Sequence, residues 1–213
     1  MKKEWRKEEK GYYLPKEEPM TLTIPQWTYL VLEGEGDPNG PLFSEHIEIL
    51  YNYAYAIKMM PKSGYTPEGY FDYTVYPLEG VWDLKDEAKR PGVAPEHNPF
   101  SKAQLVYRLM IRQPDFVEPD VFERAKETVL KKNKHADVAK VTLERISDGL
   151  TVQMLHVGPY DEEPVTFSKI QAFMEEKGLK RRSFTHREIY LSDFRKTAMK
   201  DLKTVLRVFI EEV

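Results

Sequence analysis

The chain contains no cysteine among its 213 residues, which excludes disulfides, thiolate metal ligands and cysteine nucleophiles. Histidine is scarce as well. The five histidines are scattered, and none pairs with another at the H-x-x-x-H spacing of a helical metal site. The sequence also lacks the G-x-S-x-G turn of serine hydrolases and a glycine-rich phosphate-binding loop. We therefore expect neither a metal nor a cofactor.

Excess positive charge and long apolar runs are also missing. Lys and Arg number 32 against 35 Asp and Glu, so the net charge of -3 does not favour nucleic-acid binding. The charged N-terminus precedes no apolar run that resembles a signal peptide, and no stretch is long enough to span a membrane. These features predict a cytoplasmic protein with neither a nucleic-acid nor a membrane partner. They leave open whether it is a monomer or a dimer.

Aromatic residues are abundant, with 13 Tyr, 10 Phe and 3 Trp. Such a content favours either a rich core or a pocket for flat molecules. Hydrophobic residues make up 41% of the chain, enough for a sizeable core in one large domain or two small ones.

The first half of the chain alternates between strand and helix patterns. Residues 1–20 form a polar lead-in that either packs back through Tyr12 and Tyr13 or stays a loose tail. The predicted elements that follow are a strand at 21–33, a helix with an apolar stripe from Phe43 to Ile57, one or two strands in 70–84, a loop at 85–100 that is a lid or a passive surface segment, a strand at 103–112 and a helix from about Pro119. Pro77 and Gly80 indicate either an edge strand or a hairpin turn within 70–84.

The second half repeats this order. Strands at 140–147 and 150–157 flank Asp148 and Gly149, a dipeptide that predicts a hairpin turn. A helix from Tyr160 to Gly178, a strand at 184–191 and an apolar run at 204–210 complete the chain, and periodicity does not decide whether that run is strand or helix. Strand, helix, strand, strand thus occurs twice, which predicts an α+β fold with a ligand crevice between similar halves.

The strand around Glu188 attracts attention because of its side-chain alternation. One face carries Phe184, His186, Glu188 and Tyr190, and the other carries Arg187 and Ile189. A carboxylate among aromatic groups is costly unless it is paired or hydrogen-bonded. Two interpretations remain open from this stretch alone: Glu188 has a function, or its face simply meets water.

Four segments carry a resemblance to a known family. Residues 152–164 read VQMLHVGPYDEEP, residues 186–193 read HREIYLSD, residues 202–207 read LKTVLR, and residues 77–82 read PLEGVW. They follow one another along the chain in the order of the signatures of GyrI-like small-molecule-binding proteins, which they resemble, in particular those of the stand-alone branch.

The resemblance implies two β-α-β-β modules related by a pseudo-twofold axis, which form an antiparallel platform with a central aromatic pocket. It suggests an N-terminal extension at 1–20 and a domain at 21–213. Within that domain, module one covers 21–113, a helical insertion 114–139 and module two 140–213. The acidic residue in the pocket of the family corresponds to Glu188.

The resemblance also implies a small-molecule ligand or substrate that is aromatic and can be cationic. Glu188 is then the candidate that activates water, and Tyr160 or Tyr190 is the candidate that donates a proton. Further candidates for the pocket wall, each of which can equally be ordinary core, are Tyr55, Trp82, Tyr107, Met154 and His156.

Three functions remain open at this point. Stand-alone members of the family that resemble this chain hydrolyse cyclopropanoid compounds, which are DNA-alkylating cyclopropane natural products, and so protect the cell. Other members bind or sequester flat molecules without turnover, and one inhibits gyrase. An aromatic pocket favours the first two functions over the third, because an inhibitor of a macromolecule needs a surface.

Overall fold

A computed structural model describes residues 2–91, 93 and 98–211, and the side chain of Phe184 lies outside the described part. Its strands are β1 (Met20–Glu35), β2 (Leu78–Leu84), β3 (Leu105–Gln113), β4 (Thr142–Val157), β5 (Arg181–Tyr190) and β6 (Lys203–Ile210). Its α-helices are α1 (Trp5–Glu8), α2 (Lys10–Tyr13), α3 (Pro41–Lys58), α4 (Pro119–Lys132) and α5 (Glu163–Lys177). Short 3-10 helices include Asp86–Ala88, Ala136–Lys140 and Tyr160–Glu162.

The six strands form one closed antiparallel sheet in the order β1-β3-β2-β5-β6-β4. The chain order β1-α3-β2-β3 recurs as β4-α5-β5-β6, so the sheet order is unchanged when the two halves are exchanged. A pseudo-twofold axis between β2 and β5 has this property. The predicted α+β fold is confirmed, and the predicted platform curves until β1 also pairs with β4.

The run at 204–210 is a strand, which resolves the ambiguity left by its periodicity. Every residue of β6 after Lys203 is buried, because the interior of the closed sheet covers one face and α5 packs over part of the other. A strand that is covered on both faces loses the alternation by which a strand is usually recognised.

The predicted hairpin at Asp148 and Gly149 is wrong, because β4 runs unbroken from Thr142 to Val157. Gly149 has a φ of +68°, a conformation that costs other residues energy, yet the pairing of β4 with β1 keeps its register on both sides. Asp148 points inward and accepts a hydrogen bond from Arg187. The residues that resemble a turn therefore bend the strand and bring a carboxylate into the interior.

The predicted turn at Gly80 is also wrong, since Gly80 lies in the middle of β2. Residues 70–77 form no strand beyond a single bridge between Lys3 and Tyr73. The N-terminal segment packs against the core through fully buried Tyr13 and nearly buried Trp5, so the loose-tail interpretation is wrong. The predicted lid at 85–100 lies partly outside the described residues.

A cluster of charged side chains fills part of the interior of the closed sheet. Arg187 on β5 is 1% exposed and contacts Glu79 on β2 and Asp148 on β4, both at 2.7 Å. Arg207 on β6 donates to the Gln153 side chain at 2.8 Å. Because Arg187 reaches a strand that is not its neighbour in the sheet, its side chain must lie inside.

The helices cover the outside of the sheet. Helix α3 packs on β1 and β3, and α5 packs on β4. The central strands β2 and β5 lie between these two helices, so the two halves meet at their outer face. None of the helices in the described ranges is both long and apolar enough to cross a membrane.

Candidate functional site

The candidate site lies on the outer face of β2 and β5. Gly80 is paired with Glu188, and Trp82 with His186. Cross-strand partners share a face of the sheet, so these four residues lie side by side. The pseudo-twofold axis passes between the same two strands, which places the site where the halves meet.

Glu188 is 8% exposed, and hydrogen bonds hold both of its carboxylate oxygens. The Tyr190 hydroxyl donates to Oε2 at 2.8 Å, and His186 Nε2 lies 3.0 Å from Oε1. A carboxylate oxygen only accepts, so this nitrogen carries the proton. Within the described residues no Lys or Arg forms an ion pair with Glu188, and its hydrogen-bond donors are the Tyr190 hydroxyl and the His186 imidazole.

Trp82 forms the wall on the α3 side. Its Nε1 donates to the Tyr190 hydroxyl at 2.9 Å, and its ring packs against Phe43 and Tyr107 with centroids 5.5 Å apart in both cases. A Cβ atom on Gly80 would lie 2.8 Å from Trp82 Nε1 and 3.1 Å from the Tyr190 hydroxyl. Glycine at this position therefore leaves room for the indole to reach Tyr190.

The wall on the α5 side begins at a turn that His156 fixes. His156 Nε2 donates to the Pro159 carbonyl at 3.0 Å, which leaves Nδ1 to accept from the Thr166 hydroxyl at 2.9 Å. The turn presents Tyr160, whose ring meets Tyr190 edge-on at 6.1 Å. The ring of Phe167 packs edge-on against His186 at 4.9 Å.

Burial and negative charge shift the acid–base groups around Glu188. Burial, followed by the charges of Glu188 and Glu163, raises the pKa of Tyr160 to about 12. Burial and the Glu188 charge raise the pKa of Tyr190 well above its usual value. Both phenols are therefore neutral at physiological pH and available as hydrogen-bond donors.

The structure brings together five of the residues that the sequence singled out, Trp82, Tyr107, Tyr160, Glu188 and Tyr190. The ring of Tyr107 packs against that of Trp82, and the Tyr107 hydroxyl makes a hydrogen bond with His46. His156 lies beneath the β4–α5 turn. Met154 belongs to the core between the sheet and α5, and Tyr55 is 52% exposed and packs against Tyr51. Met154 lies in the same cross-strand row as Glu188, with Leu206 between them.

Sequence reasoning missed one titratable group of the site, Glu163. It lies in an acidic run at the start of α5, a pattern that is also typical of ordinary helix N-termini. Only the structure separates buried Glu163 from its exposed neighbours Asp161 and Glu162.

The arrangement is suited to acid–base chemistry or to cation binding. Among the described residues no group of three or more His, Asp and Glu comes together that could hold a metal ion. What the site offers is an oriented carboxylate, neutral phenols and flat aromatic walls. A carboxylate held in this way can accept a proton from water or attract a cationic ligand.

Comparison with known proteins agrees with this geometry. The model of the GyrI-like small molecule binding domain matches residues 106–210. A hydrolase from Listeria innocua is 36% identical, covers 99% of this chain and 100% of its own, and superposes with a TM-score of 0.86. An uncharacterised conserved protein from Listeria innocua is 38% identical with the same coverage and a TM-score of 0.87.

More distant likeness concerns the fold alone. The EcmrR C-terminal domain is 14% identical, covers 92% of this chain and 98% of its own, and has a TM-score of 0.52. No curated protein matches the chain. The full-length identity to the Listeria proteins, together with the domain match, shows that the chain belongs to the family of GyrI-like small-molecule-binding domains.

Proposed function

We propose that this protein hydrolyses cyclopropanoid compounds, in which a strained cyclopropane is conjugated to a flat dienone, and that it thereby protects the cell from their alkylating activity. The observation that carries the proposal is the Glu188 carboxylate, which is 8% exposed, oriented by His186 and Tyr190, and bordered by aromatic rings. The relative from Listeria innocua described as a hydrolase supports a hydrolytic activity.

In the proposed reaction Glu188 removes a proton from a water molecule as that water attacks the cyclopropane carbon. The carbon–carbon bond of the ring breaks, and its electron pair moves through the dienone to the carbonyl oxygen, which becomes a phenol when it is protonated. Hydrogen bonds from His186 and Tyr190 fix the carboxylate in one orientation for the attack. Rings of Trp82 and Tyr160 provide flat surfaces against which a planar substrate stacks.

The second candidate function is sequestration of flat cationic molecules without turnover. It is favoured by the lack of a Lys or Arg partner for Glu188 among the described residues, because such a carboxylate attracts a cation. The two functions differ in the fate of the bound molecule.

The test is incubation of purified protein with a cyclopropanoid, followed by mass spectrometry. Hydrolysis predicts a ring-opened product that has gained one water, and Glu188→Gln should reduce its rate by roughly 10²–10⁴-fold while the protein stays folded. Glu176→Gln, which changes an exposed carboxylate on α5, is the matched control and should keep the wild-type rate. Unchanged ligand recovered from a tight complex would contradict hydrolysis and support sequestration.

A further inference from the structure

A second carboxyl group lies buried where α5 meets β5, since Phe167, four residues after Glu163, packs against His186, and Tyr160, three residues before it, packs against Tyr190. Glu163, the first residue of α5, is 8% exposed. Its Oε1 is buried and has no hydrogen-bond partner in the described part of the chain. No ion pair of the described residues involves Glu163, whereas Asp161 in the same turn is exposed and lies 4.0 Å from Lys102 Nζ. The contrast singles out Glu163 as a buried polar group that the fold itself does not use.

Glu163 belongs to the same electrostatic environment as the residues around Glu188. Its charge contributes to the high pKa values of both Tyr160 and Tyr190, and the charge of Glu188 acts on Glu163 in turn. The His156 contacts to Pro159 and Thr166 fix the turn that carries Glu163 into the site. The two buried carboxyl groups thus act on each other, and within the described residues hydrogen-bond donors contact Glu188 but not Glu163 Oε1.

The two carboxyl groups have different hydrogen-bonding surroundings. The Glu188 carboxylate accepts two hydrogen bonds, whereas within the described residues Glu163 Oε1 accepts none. Burial, followed by the charges of Glu188 and Asp161, raises the pKa of Glu163 well above its usual value. When two carboxyl groups of one site have such different surroundings, one can act as the acid and the other as the base.

We propose that Glu163 is the acid of the site and donates its proton to the ligand oxygen that gains negative charge. The inference rests on the proposed hydrolysis and assigns a further catalytic residue to it. Water forms the new carbon–oxygen bond and gives its proton to Glu188, the ring carbon–carbon bond breaks, and the carbonyl oxygen takes the proton of Glu163. Transfer of the proton from Glu188 back to Glu163 through water restores the site.

This role also restricts the substrate. The cyclopropane must be conjugated to a carbonyl group whose oxygen reaches Glu163 while the strained carbon lies near Glu188. A cyclopropane without a conjugated carbonyl offers no oxygen to protonate and is expected to be inert. Tyr160, the other candidate donor, is a much weaker acid because its pKa is about 12.

The acid role predicts how the rate depends on pH. Activity requires protonated Glu163, so kcat/KM should fall as the pH rises through the pKa of Glu163. If Tyr160 were the acid, the rate should persist to about its pKa of 12. The titratable groups that interact electrostatically with Glu163 are Glu188 and Tyr190 on β5 and Tyr160 and Asp161 in the preceding turn. Two further basic side chains contact members of this group, Lys102 against Asp161 and His186 against Glu188.

The test compares pH profiles of kcat/KM for wild type, Glu163→Gln and Glu162→Gln with a cyclopropanoid dienone. Glu163→Gln should lower the rate by roughly 10²–10⁴-fold and abolish the alkaline fall. Glu162→Gln, which changes the neighbouring exposed carboxyl, is the matched control and should leave both the rate and its alkaline fall unchanged. In parallel, ¹³C NMR of wild-type protein labelled at glutamate Cδ, with the Glu163 signal assigned by its loss in Glu163→Gln, measures when this carboxyl ionises.

The outcomes separate this inference from the proposed function. Wild-type turnover together with an unimpaired Glu163→Gln variant overturns the acid role and leaves hydrolysis standing. An NMR titration of Glu163 in the range of exposed glutamates, with the carboxyl ionised at neutral pH, also overturns it and requires no activity. Absence of wild-type turnover overturns the hydrolase proposal and the catalytic role of Glu163 with it.

Discussion

Tyr190 is the residue on which the orientation of Glu188 depends most. Its hydroxyl oxygen accepts from Trp82 Nε1, so its own proton is directed to Glu188 Oε2. The indole, the phenol and the carboxylate therefore form one directional chain of hydrogen bonds. Tyr160, the other candidate donor, packs against the ring of Tyr190, and no hydrogen bond among the described residues joins its hydroxyl to Glu188.

Replacing Tyr190 by Phe should impair both stability and activity. The variant leaves Glu188 Oε2 and Trp82 Nε1 without their partner, and each unsatisfied buried group costs about 1–3 kcal/mol. We expect a lower free energy of unfolding in urea and a reduced kcat. Tyr160→Phe is the control, since it removes no hydrogen bond of the described residues and should unfold within about 0.5 kcal/mol of wild type. Equal losses of unfolding free energy in the two variants would contradict the hydrogen-bond chain from Trp82 through Tyr190 to Glu188.

Two glycines explain where element prediction failed. The residues around Gly80 and Gly149 predict turns, yet each glycine lies inside a continuous strand. Gly80 is required by the close approach of Trp82 and Tyr190, and Gly149 by its positive φ. A sequence window contains the glycine and not the neighbour that demands it, so it cannot separate these cases from a turn.

Gly80→Ala should therefore affect the site more than the strand that carries it. The added Cβ would lie 2.8 Å from Trp82 Nε1, so the indole must move and its hydrogen bond to Tyr190 is lost. We expect weaker ligand binding, measured by calorimetry with a planar aromatic cation such as ethidium. Gly11→Ala, where an added Cβ meets nothing within 4 Å, is the matched control. Unchanged affinity in Gly80→Ala would refute the role assigned to this glycine.

For the molecule as a whole, charges inside the closed sheet are the least expected feature. Arg187 pairs with Glu79, 108 residues away in sequence, and with Asp148, 39 residues away. Removing one partner of a buried ion cluster leaves charges uncompensated, whereas an exposed pair contributes little. The interior is therefore stabilised as a unit, and each of its charges depends on the others.

Arg187→Met should lower the free energy of unfolding in urea by about 3–5 kcal/mol, because Glu79 and Asp148 lose their shared partner. Arg108→Met is the matched control. Arg108 also bridges two carboxylates, Glu33 and Glu144, but on the surface, so its loss should cost about 0–1 kcal/mol. Similar losses in the two variants would contradict the distinction between interior and surface.

Much of the fold is predictable from the sequence, because the apolar stripes of helices and the order of elements along the chain can be recognised locally. The face of the strand that carries His186, Glu188 and Tyr190 was also predictable from alternation alone. Closure of the sheet was not, since it depends on pairing between β1 and β4 over more than a hundred residues of chain. The burial of Glu163 was not predictable from the sequence either, because it arises from the packing of α5 near Glu188.

The central claim is that Glu188 activates water to open the ring, and a single-turnover reaction in H₂¹⁸O tests it most directly. With enzyme in excess over a cyclopropanoid, general-base catalysis predicts that the first product carries one ¹⁸O atom at the opened carbon. A product without ¹⁸O, with the label appearing instead in the Glu188 carboxylate, would mean that Glu188 attacks the carbon itself. Failure to form any ring-opened product would contradict hydrolysis altogether.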